Sequence, residues 1–168
     1  MAVSSRAIAG DARQEALNRL IDALNADTDM VLVAAGADAD ALAPVVWARA
    51  GFLVQIEETA SDSEALRVML QDVLNRGRDA ALVAWLEDQA VTAELAHKLV
   101  IAYCRAGDEV WAVRPERNGQ AVLIGRRMIE KFLRGDKSST VDQILAANST
   151  HVLTIPAASS GTATSQGS

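Results

Sequence analysis

Three polar residues, Glu87, Asp88 and Gln89, directly follow the apolar run "AALVAWL" at 80–86. The run predicts a buried strand, and the pattern after it predicts a helix. Ligands of α/β proteins bind at the carboxyl ends of parallel strands, and carboxylate oxygens are the ligands that Mg²⁺ prefers. Two interpretations follow: Asp88 binds a metal ion, or it only caps the helix that begins near Val91 or Thr92.

Composition limits the classes of protein to which this chain can belong. Its 168 residues are 50% hydrophobic, which suffices for one domain with a buried core. The formal net charge of −6 argues against nucleic-acid binding, because phosphate contacts need a basic face, but it does not exclude a single nucleotide. Cys104 is the single cysteine, which favours a cytoplasmic location. No apolar run approaches the roughly 18 residues of a membrane span.

Helical and extended patterns alternate along most of the chain and would position these residues. Strands are predicted at 30–36, 52–57, 79–86, 109–113, 121–125 and 151–156, and helices at 12–25, 38–51, 61–76, 92–107, 126–135 and 138–148. This alternation predicts an α/β fold, a Rossmann-like three-layer sandwich with a mostly parallel sheet. The domain is expected to span 12–156, between a flexible N-terminus at 1–11 and a disordered polar tail at 157–168.

Local signals define several helix ends. Ser61 with Glu64 fits a capping box, Asp11 is expected to cap the first helix, and Ser138 is expected to cap the last. Pro44 must lie in the first turn of its helix or kink it.

Four segments follow one another in a specific order: "MVLVAAGADADALAPVV" at 30–46, "DAALVAWLEDQAVTAELAHKL" at 79–99, "GQAVLIGRRMIEKFL" at 119–133 and "LRGDKSSTVDQIL" at 133–145. In order and spacing they resemble the MobA-like nucleotidyltransferases, particularly the branch that attaches CTP or GTP to molybdopterin. The second segment is similar to that family's L-G-D-Q-P strand end, the third to its G-x-P-V-L-F-G-R segment, and the fourth to its G-D-x-G-A-R-x-L-L segment. With the closing strand "HVLTIP", the resemblance covers roughly residues 14–156.

The resemblance implies a reaction and a site. The phosphate of an acceptor attacks the α-phosphorus of the nucleotide and pyrophosphate leaves, with Mg²⁺ neutralising charge. It also implies that Asp88 binds the metal ion and that Gln89, Gly135 and Asp136 belong to the nucleotide site. The Gly135–Asp136 pair has a simpler alternative interpretation, as a turn between two short helices.

Departures from the family pattern fall on the nucleotide site. The chain lacks the family's L-A-A-G-x-S-x-R-M-G-x-x-K segment, whose glycines wrap the triphosphate and whose Arg and Lys neutralise it. "VSSRAIAG" at 3–10 keeps two serines and an arginine of it, but no apolar strand precedes them. Residues 61–66 replace the family's G-M-S-x-S-L and add two acids, which is unfavourable beside a triphosphate. Cations near the predicted strand ends are few: Arg114, Arg117, Arg126 and Lys137.

A fold truncated at its N-terminal strand would have a gap in the middle of its sheet. An unpaired interior edge is costly and prone to association. A protein partner or a homodimer is therefore expected to fill the gap.

Three hypotheses of function remain open. In the first, the chain is a MobA-like domain that has lost catalysis and now binds or scaffolds. In the second, it is a working Mg²⁺-dependent nucleotidyltransferase for CTP or GTP and molybdopterin, with its nucleotide site completed by another chain. In the third, it is an unrelated Rossmann-like binding domain. The lost glycines favour the first hypothesis, and the retained Asp88, Gln89, Gly135 and Asp136 favour the second, so whether the protein is an enzyme stays open.

Overall fold

The computed structural model describes residues 2–3, 10–87, 91–116 and 121–156. The strands are β1 (Ala2–Val3), β2 (Leu32–Ala35), β3 (Phe52–Gln55), β4 (Ala80–Trp85), β5 (Ala112–Pro115), β6 (Val122–Gly125) and β7 (Val152–Ile155). The helices are α1 (Gly10–Asn25), α2 (Ala39–Ala48), α3 (Asp62–Asn75), α4 (Ala93–Arg105), α5 (Arg126–Arg134) and α6 (Val141–Ala147), and a 3-10 turn at Ser149–His151 precedes β7. The predicted alternation of strands and helices is confirmed.

The strands form one seven-stranded sheet in the order β3-β2-β1-β4-β6-β5-β7. β6 runs antiparallel to β4 and β5, and the other neighbouring pairs are parallel. The Rossmann-like fold with a mostly parallel sheet is therefore confirmed. Because β6 is reversed, it begins at the same edge of the sheet at which β4 and β5 end, and this carboxyl edge is where ligands of such sheets bind.

The first strand corrects a prediction made from the sequence. We expected no N-terminal strand, but Ala2–Val3 lie between β2 and β4, and Val3 pairs in parallel with Ala34 and Trp85. Two residues are too few to give a periodic pattern, so the sequence did not reveal this strand. The chain itself occupies the middle of the sheet, so the gap from which a partner was inferred does not exist, and the partner stays a prediction.

Two hydrophobic clusters fill the spaces on either side of the sheet. One lies between the sheet and helices α1, α2 and α4, and the other lies between the sheet and α3, α5 and α6. Successive side chains of β4 point to opposite faces of the sheet, so Leu82 and Ala84 belong to the first cluster and Ala81 and Val83 belong to the second. Burial of each Leu, Ile or Met side chain contributes about 1.5–3 kcal/mol to stability. The three layers follow from these two buried faces.

Helix ends differ from the sequence-based prediction at several places. The first helix begins at Gly10, so Asp11 lies inside it rather than at its cap. Pro44 lies beyond the first turn of α2. The last helix is capped by Thr140, not by Ser138, because Thr140 forms a reciprocal capping box with Gln143. The limits of the predicted domain, 12–156, stay a prediction, and its predicted tail at 157–168 lies outside the described residues.

Candidate functional site

A cavity of about 310 Å³ opens at the carboxyl edge of the sheet. Trp85 at the end of β4, Arg114 and Pro115 at the end of β5, and Val122 at the start of β6 form its floor. The N-termini of α3 and α6 form its walls, and we call it the α3–α6 cavity. A concave, largely apolar site with a few convergent polar groups is the usual form of a small-molecule site.

The start of α3 places one acid, Asp62, at a wall of the cavity, next to the cap of the helix. Ser61 caps the helix, because its hydroxyl accepts a hydrogen bond from the Glu64 backbone N–H, while the Glu64 carboxylate accepts bonds from the Ser61 N–H at 2.9 Å and hydroxyl at 2.8 Å. The bonds from the Ser61 backbone and side chain lower the pKa of the Glu64 carboxyl. Asp62 and Ser63 follow the cap and line the cavity. The capping box predicted from the sequence is confirmed.

The start of α6 supplies the opposite wall. In its capping box the Thr140 hydroxyl accepts from the Gln143 backbone N–H, and the Gln143 side chain accepts from the Thr140 N–H, as Ser61 and Glu64 do in α3. Asp142, in the first turn, has a carboxylate oxygen 3.6 Å from a guanidinium nitrogen of Arg114. Arg114 is the one cation among the described residues that line the cavity, and Asp142 competes with any anionic ligand for it.

The remaining lining is apolar. Leu66 of α3, Val122 of β6 and Leu145 of α6 are buried, and Trp85 is half-buried beside them. An indole ring in such a wall could stack against a planar ligand group. The cavity therefore combines an apolar floor with one arginine and two carboxylates.

The predicted metal site falls at the end of β4. Asp88 and Gln89 lie outside the described residues, so their predicted roles stay predictions. Glu87, the last residue described before them, is exposed at this edge. In the described part of the chain, no three His, Cys, Asp or Glu side chains come together in a way that could hold a metal ion.

The predicted nucleotide-site pair Gly135–Asp136 lies in the turn between α5 and α6. The Asp136 carboxylate accepts bonds from the backbone N–H and hydroxyl of Ser138, at 2.7 and 2.6 Å, and these bonds lower the pKa of Asp136. The guanidinium of Arg67 donates to the carbonyl oxygens of Leu133 and Asp136. Neither Gly135 nor Asp136 lines the cavity. Their contacts are those of a structural turn, and a role in nucleotide binding stays a prediction.

The cations that were predicted near the strand ends do not all lie at the cavity. Arg114 lines the cavity, whereas Arg126 pairs with Asp79 at 2.6 Å at the opposite edge of the sheet. Lys137 lines a groove beside β3, and Arg117 lies outside the described residues. Thr140 and Asp142 line the cavity without having been predicted there, although their place near the start of a predicted helix was the available signal.

Solved structures with this topology define the class of fold. The chain has a nucleotidyltransferase-like fold, and three relatives illustrate it. Protein Rv0371c of Mycobacterium tuberculosis H37Rv, solved as a complex with manganese, has a TM-score of 0.71 at 13% identity, over 92% of this chain and 85% of that one. The 4-diphosphocytidyl-2C-methyl-D-erythritol synthase of Anaerococcus prevotii has a TM-score of 0.66 at 13% identity, over 93% and 87%. A cytidylyltransferase of Leptospira borgpetersenii has a TM-score of 0.66 at 9% identity, over 84% and 64%.

These likenesses extend to the fold and no further. No protein-family model matches the sequence, and no curated protein matches it at the level of sequence. The resemblance to nucleotidyltransferases is thus confirmed for the fold. In the described part of the chain, no helix has the length and apolar character that crossing a membrane requires.

Proposed function

We propose that this protein is a MobA-like member of the nucleotidyltransferase fold that has lost nucleotidyl transfer and binds a small ligand in the α3–α6 cavity. The observation that carries this proposal is the charge balance of the cavity. Arg114 shares the cavity with Asp62 and with its own ion-pair partner Asp142, so two carboxylates and one guanidinium line it.

A nucleoside triphosphate is strongly anionic and needs several backbone N–H groups or cations around it. The N-termini of α3 and α6 cannot offer their full set of N–H groups, because the cap of each helix already accepts one of them, from Glu64 and from Gln143. Two carboxylates in the walls would also repel the phosphates. The arrangement instead favours a ligand that is mostly apolar and planar, with at most one acidic group for Arg114.

A second candidate function is an active, divalent-metal-dependent nucleotidyltransferase for CTP or GTP and molybdopterin. The position of β4 favours it, since this strand lies beside β1 and Glu87–Asp88 follow its carboxyl end. The manganese complex of the M. tuberculosis relative is consistent with a metal at such a site. In this case Asp88 holds Mg²⁺, Gln89, Gly135 and Asp136 contact the nucleotide, and another chain completes the site.

Calorimetric titration of CTP, GTP and ATP, each with and without Mg²⁺ or Mn²⁺, separates the two candidates. Wild-type protein is compared with Asp88→Ala and with Asp108→Ala, a matched loss of one exposed carboxylate in the turn after α4. The proposal predicts no metal-dependent nucleotide binding at about millimolar concentration. Metal-dependent binding of one nucleotide that disappears only in Asp88→Ala would establish the enzyme and refute the proposal.

A binding or scaffold role also implies a protein partner, which we expect in the cytoplasm because the chain has one cysteine. Co-purification of the tagged full chain from its natural host tests this expectation. Recovery of the chain in a stable complex with one defined protein supports it. Recovery without any stoichiometric partner counts against it.

A further inference from the structure

The free edge of the sheet carries exposed apolar side chains. β3 is the first strand in the sheet order, and no described strand pairs with its outer side. The exposed large apolar residues of the described chain are Phe52 in β3, Trp47 in α2 and Val68 in α3, at 46%, 66% and 48% of full exposure. Soluble monomers rarely leave apolar groups beside an unpaired strand, because such an edge is a template for association.

Phe52 belongs to β3 itself, Val68 lies beside it, and the geometry of α2 indicates where Trp47 lies. Val68 lines an open groove along this strand together with Val54 and Gln55. On the other face of the sheet, α1 lies between α2 and α4, and Arg49 pairs with Asp22 of α1 at 2.9 Å. Trp47 precedes Arg49 by two residues, which is about 200° around a helix. Trp47 therefore lies on the flank of α2 that is turned away from α1, towards the outer edge.

The backbone of β3 is ready to pair on its outer side. The Phe52 N–H donates to the Val31 carbonyl at 2.9 Å, and the Ile56 N–H donates to the Ala35 carbonyl at 3.0 Å. Backbone groups alternate along a strand, so the intervening Leu53 and Gln55 direct their N–H and C=O groups away from β2. These outward groups are the ones that an added strand would bind.

We propose that a second copy of this chain pairs antiparallel with β3 across a two-fold axis, with Val54 facing the partner's Val54. In this register Leu53 pairs with the partner's Gln55, and Gln55 pairs with the partner's Leu53. The outward N–H and C=O groups of Leu53 and Gln55 in one strand then form hydrogen bonds with those of Gln55 and Leu53 in the partner strand. A two-fold axis also makes the apolar patch complementary to itself, which is the usual form of a dimer interface.

The charges at the two ends of β3 fit this partner. Glu57 and Glu58 follow the strand, are exposed, and make no ion pair with the described residues. At the other end, the guanidinium of Arg76 lies 4.8 Å from the centre of the Phe52 ring. Antiparallel pairing brings the partner's Glu58 towards Arg76, and the two-fold axis repeats this contact. Arg76 already pairs with Asp72, but its five N–H donors leave room for another acceptor.

Cross-linking tests the register directly. Val54→Cys is made in a Cys104→Ser background, which removes the chain's one natural cysteine. Facing residues that do not share hydrogen bonds in an antiparallel pair have Cα atoms about 4.5 Å apart, within the range of a disulfide. Mild oxidation is expected to convert this variant to a covalent dimer. Thr154→Cys in the same background, exposed on β7 at the opposite edge of the sheet, is the matched control and is expected to stay monomeric.

Sedimentation velocity across a concentration series tests the energetics. Leu53→Pro removes an outward N–H while the bonds to β2 stay, and it is expected to abolish the dimer. Arg76→Glu is expected to raise the dimer dissociation constant about tenfold, and adding Glu58→Arg is expected to restore it. Arg134→Glu, the same charge change at an exposed site on α5, is expected to leave the dimer intact. Circular dichroism verifies that each variant is folded.

Two outcomes would overturn the proposal. One is a wild-type monomer at all concentrations up to about 200 µM. The other is a dimer that neither Leu53→Pro nor Arg76→Glu weakens and that Val54→Cys does not cross-link, since that dimer would use another face. Both outcomes are independent of nucleotide binding, so they leave the proposed function of the cavity untouched.

Discussion

Replacing Asp142 by Asn should strengthen the binding of anions in the α3–α6 cavity, because it removes the carboxylate that competes for Arg114. The two charged groups are 3.6 Å apart, and the Asp142 side chain is 65% exposed. At that distance two unit charges interact by about 1 kcal/mol in a water-like dielectric, and exposed pairs measure about 0–1 kcal/mol. A gain of about 1 kcal/mol corresponds to about fivefold in affinity.

Fluorescence of Trp85, which lines the cavity, provides the assay. Titrations with CTP and with inorganic pyrophosphate are run in a background in which Trp47 and Trp111 are replaced by Phe. Asp142→Asn is expected to lower the apparent dissociation constant up to about fivefold at low salt, and the gain should shrink as salt screens the charges. Arg114→Met is expected to abolish the signal change.

The same variant also checks the role of the ion pair in stability. Asp142 lies in the first turn of α6, so its loss should lower the free energy of unfolding by at most about 1 kcal/mol. Two results would refute the reasoning. One is an affinity for pyrophosphate that is unchanged in Asp142→Asn. The other is full binding by Arg114→Met, which would show that anions bind elsewhere.

Three further predictions concern stability. Ser61→Ala removes the N-cap of α3 and should lower the free energy of unfolding by about 1 kcal/mol in urea denaturation at pH 7. Hydrogen bonds from Ser61 lower the folded-state pKa of Glu64. Its contribution to the free energy of unfolding is therefore complete above its ordinary pKa and is lost as the pH falls through the lowered value. Ser61→Ala removes part of this contribution and should flatten the loss of stability in acid. Gly125→Ala would place a Cβ 1.9 Å from the Tyr103 hydroxyl oxygen and should lower the free energy of unfolding by about 1–3 kcal/mol. The Cβ of Gly107→Ala meets nothing within 4 Å, so this variant should be nearly neutral. Thermal melts compare the two, and equal melting temperatures would contradict this packing.

Segments whose signal is local could be predicted from the sequence. β4 and α3 were found within one residue at each end, because a run of apolar residues and a capping box are each contained in a short window. Between Gly135 and Thr140, local signals competed. Ser138 and Thr140 both offered a hydroxyl, and Ser138 is instead bonded to Asp136, which leaves Thr140 as the cap.

The candidate cavity could not be predicted because its parts are distant in sequence. Asp62 and Asp142 face one cavity only because α3 and α6 start at the same edge of the sheet, on the same face. That arrangement depends on the reversed direction of β6, which α5 follows back to the carboxyl edge. The sequence of the short strand between Gln120 and Arg126 does not indicate whether it runs parallel or antiparallel to its neighbours. The family resemblance predicted Gly135 and Asp136 in the site, but the Asp136 carboxylate bonds within its own turn and its carbonyl oxygen accepts from Arg67 of α3.

The helix N-termini at the carboxyl edge support the same conclusion about anions. A helix N-terminus binds an external anion through those of its first N–H groups that its cap does not use. The caps of α3, α4 and α6 each accept a bond from a backbone N–H through their own side chain, and the cap of α2, Asp38, is itself anionic and paired with Arg13. Within the described part of the chain, Arg114 is the one cationic side chain that lines the cavity, and each cap removes one N–H group from the donors around it. A triphosphate bound here would need donors beyond those residues, so tight nucleotide binding that survived Arg114→Met would direct attention away from this cavity.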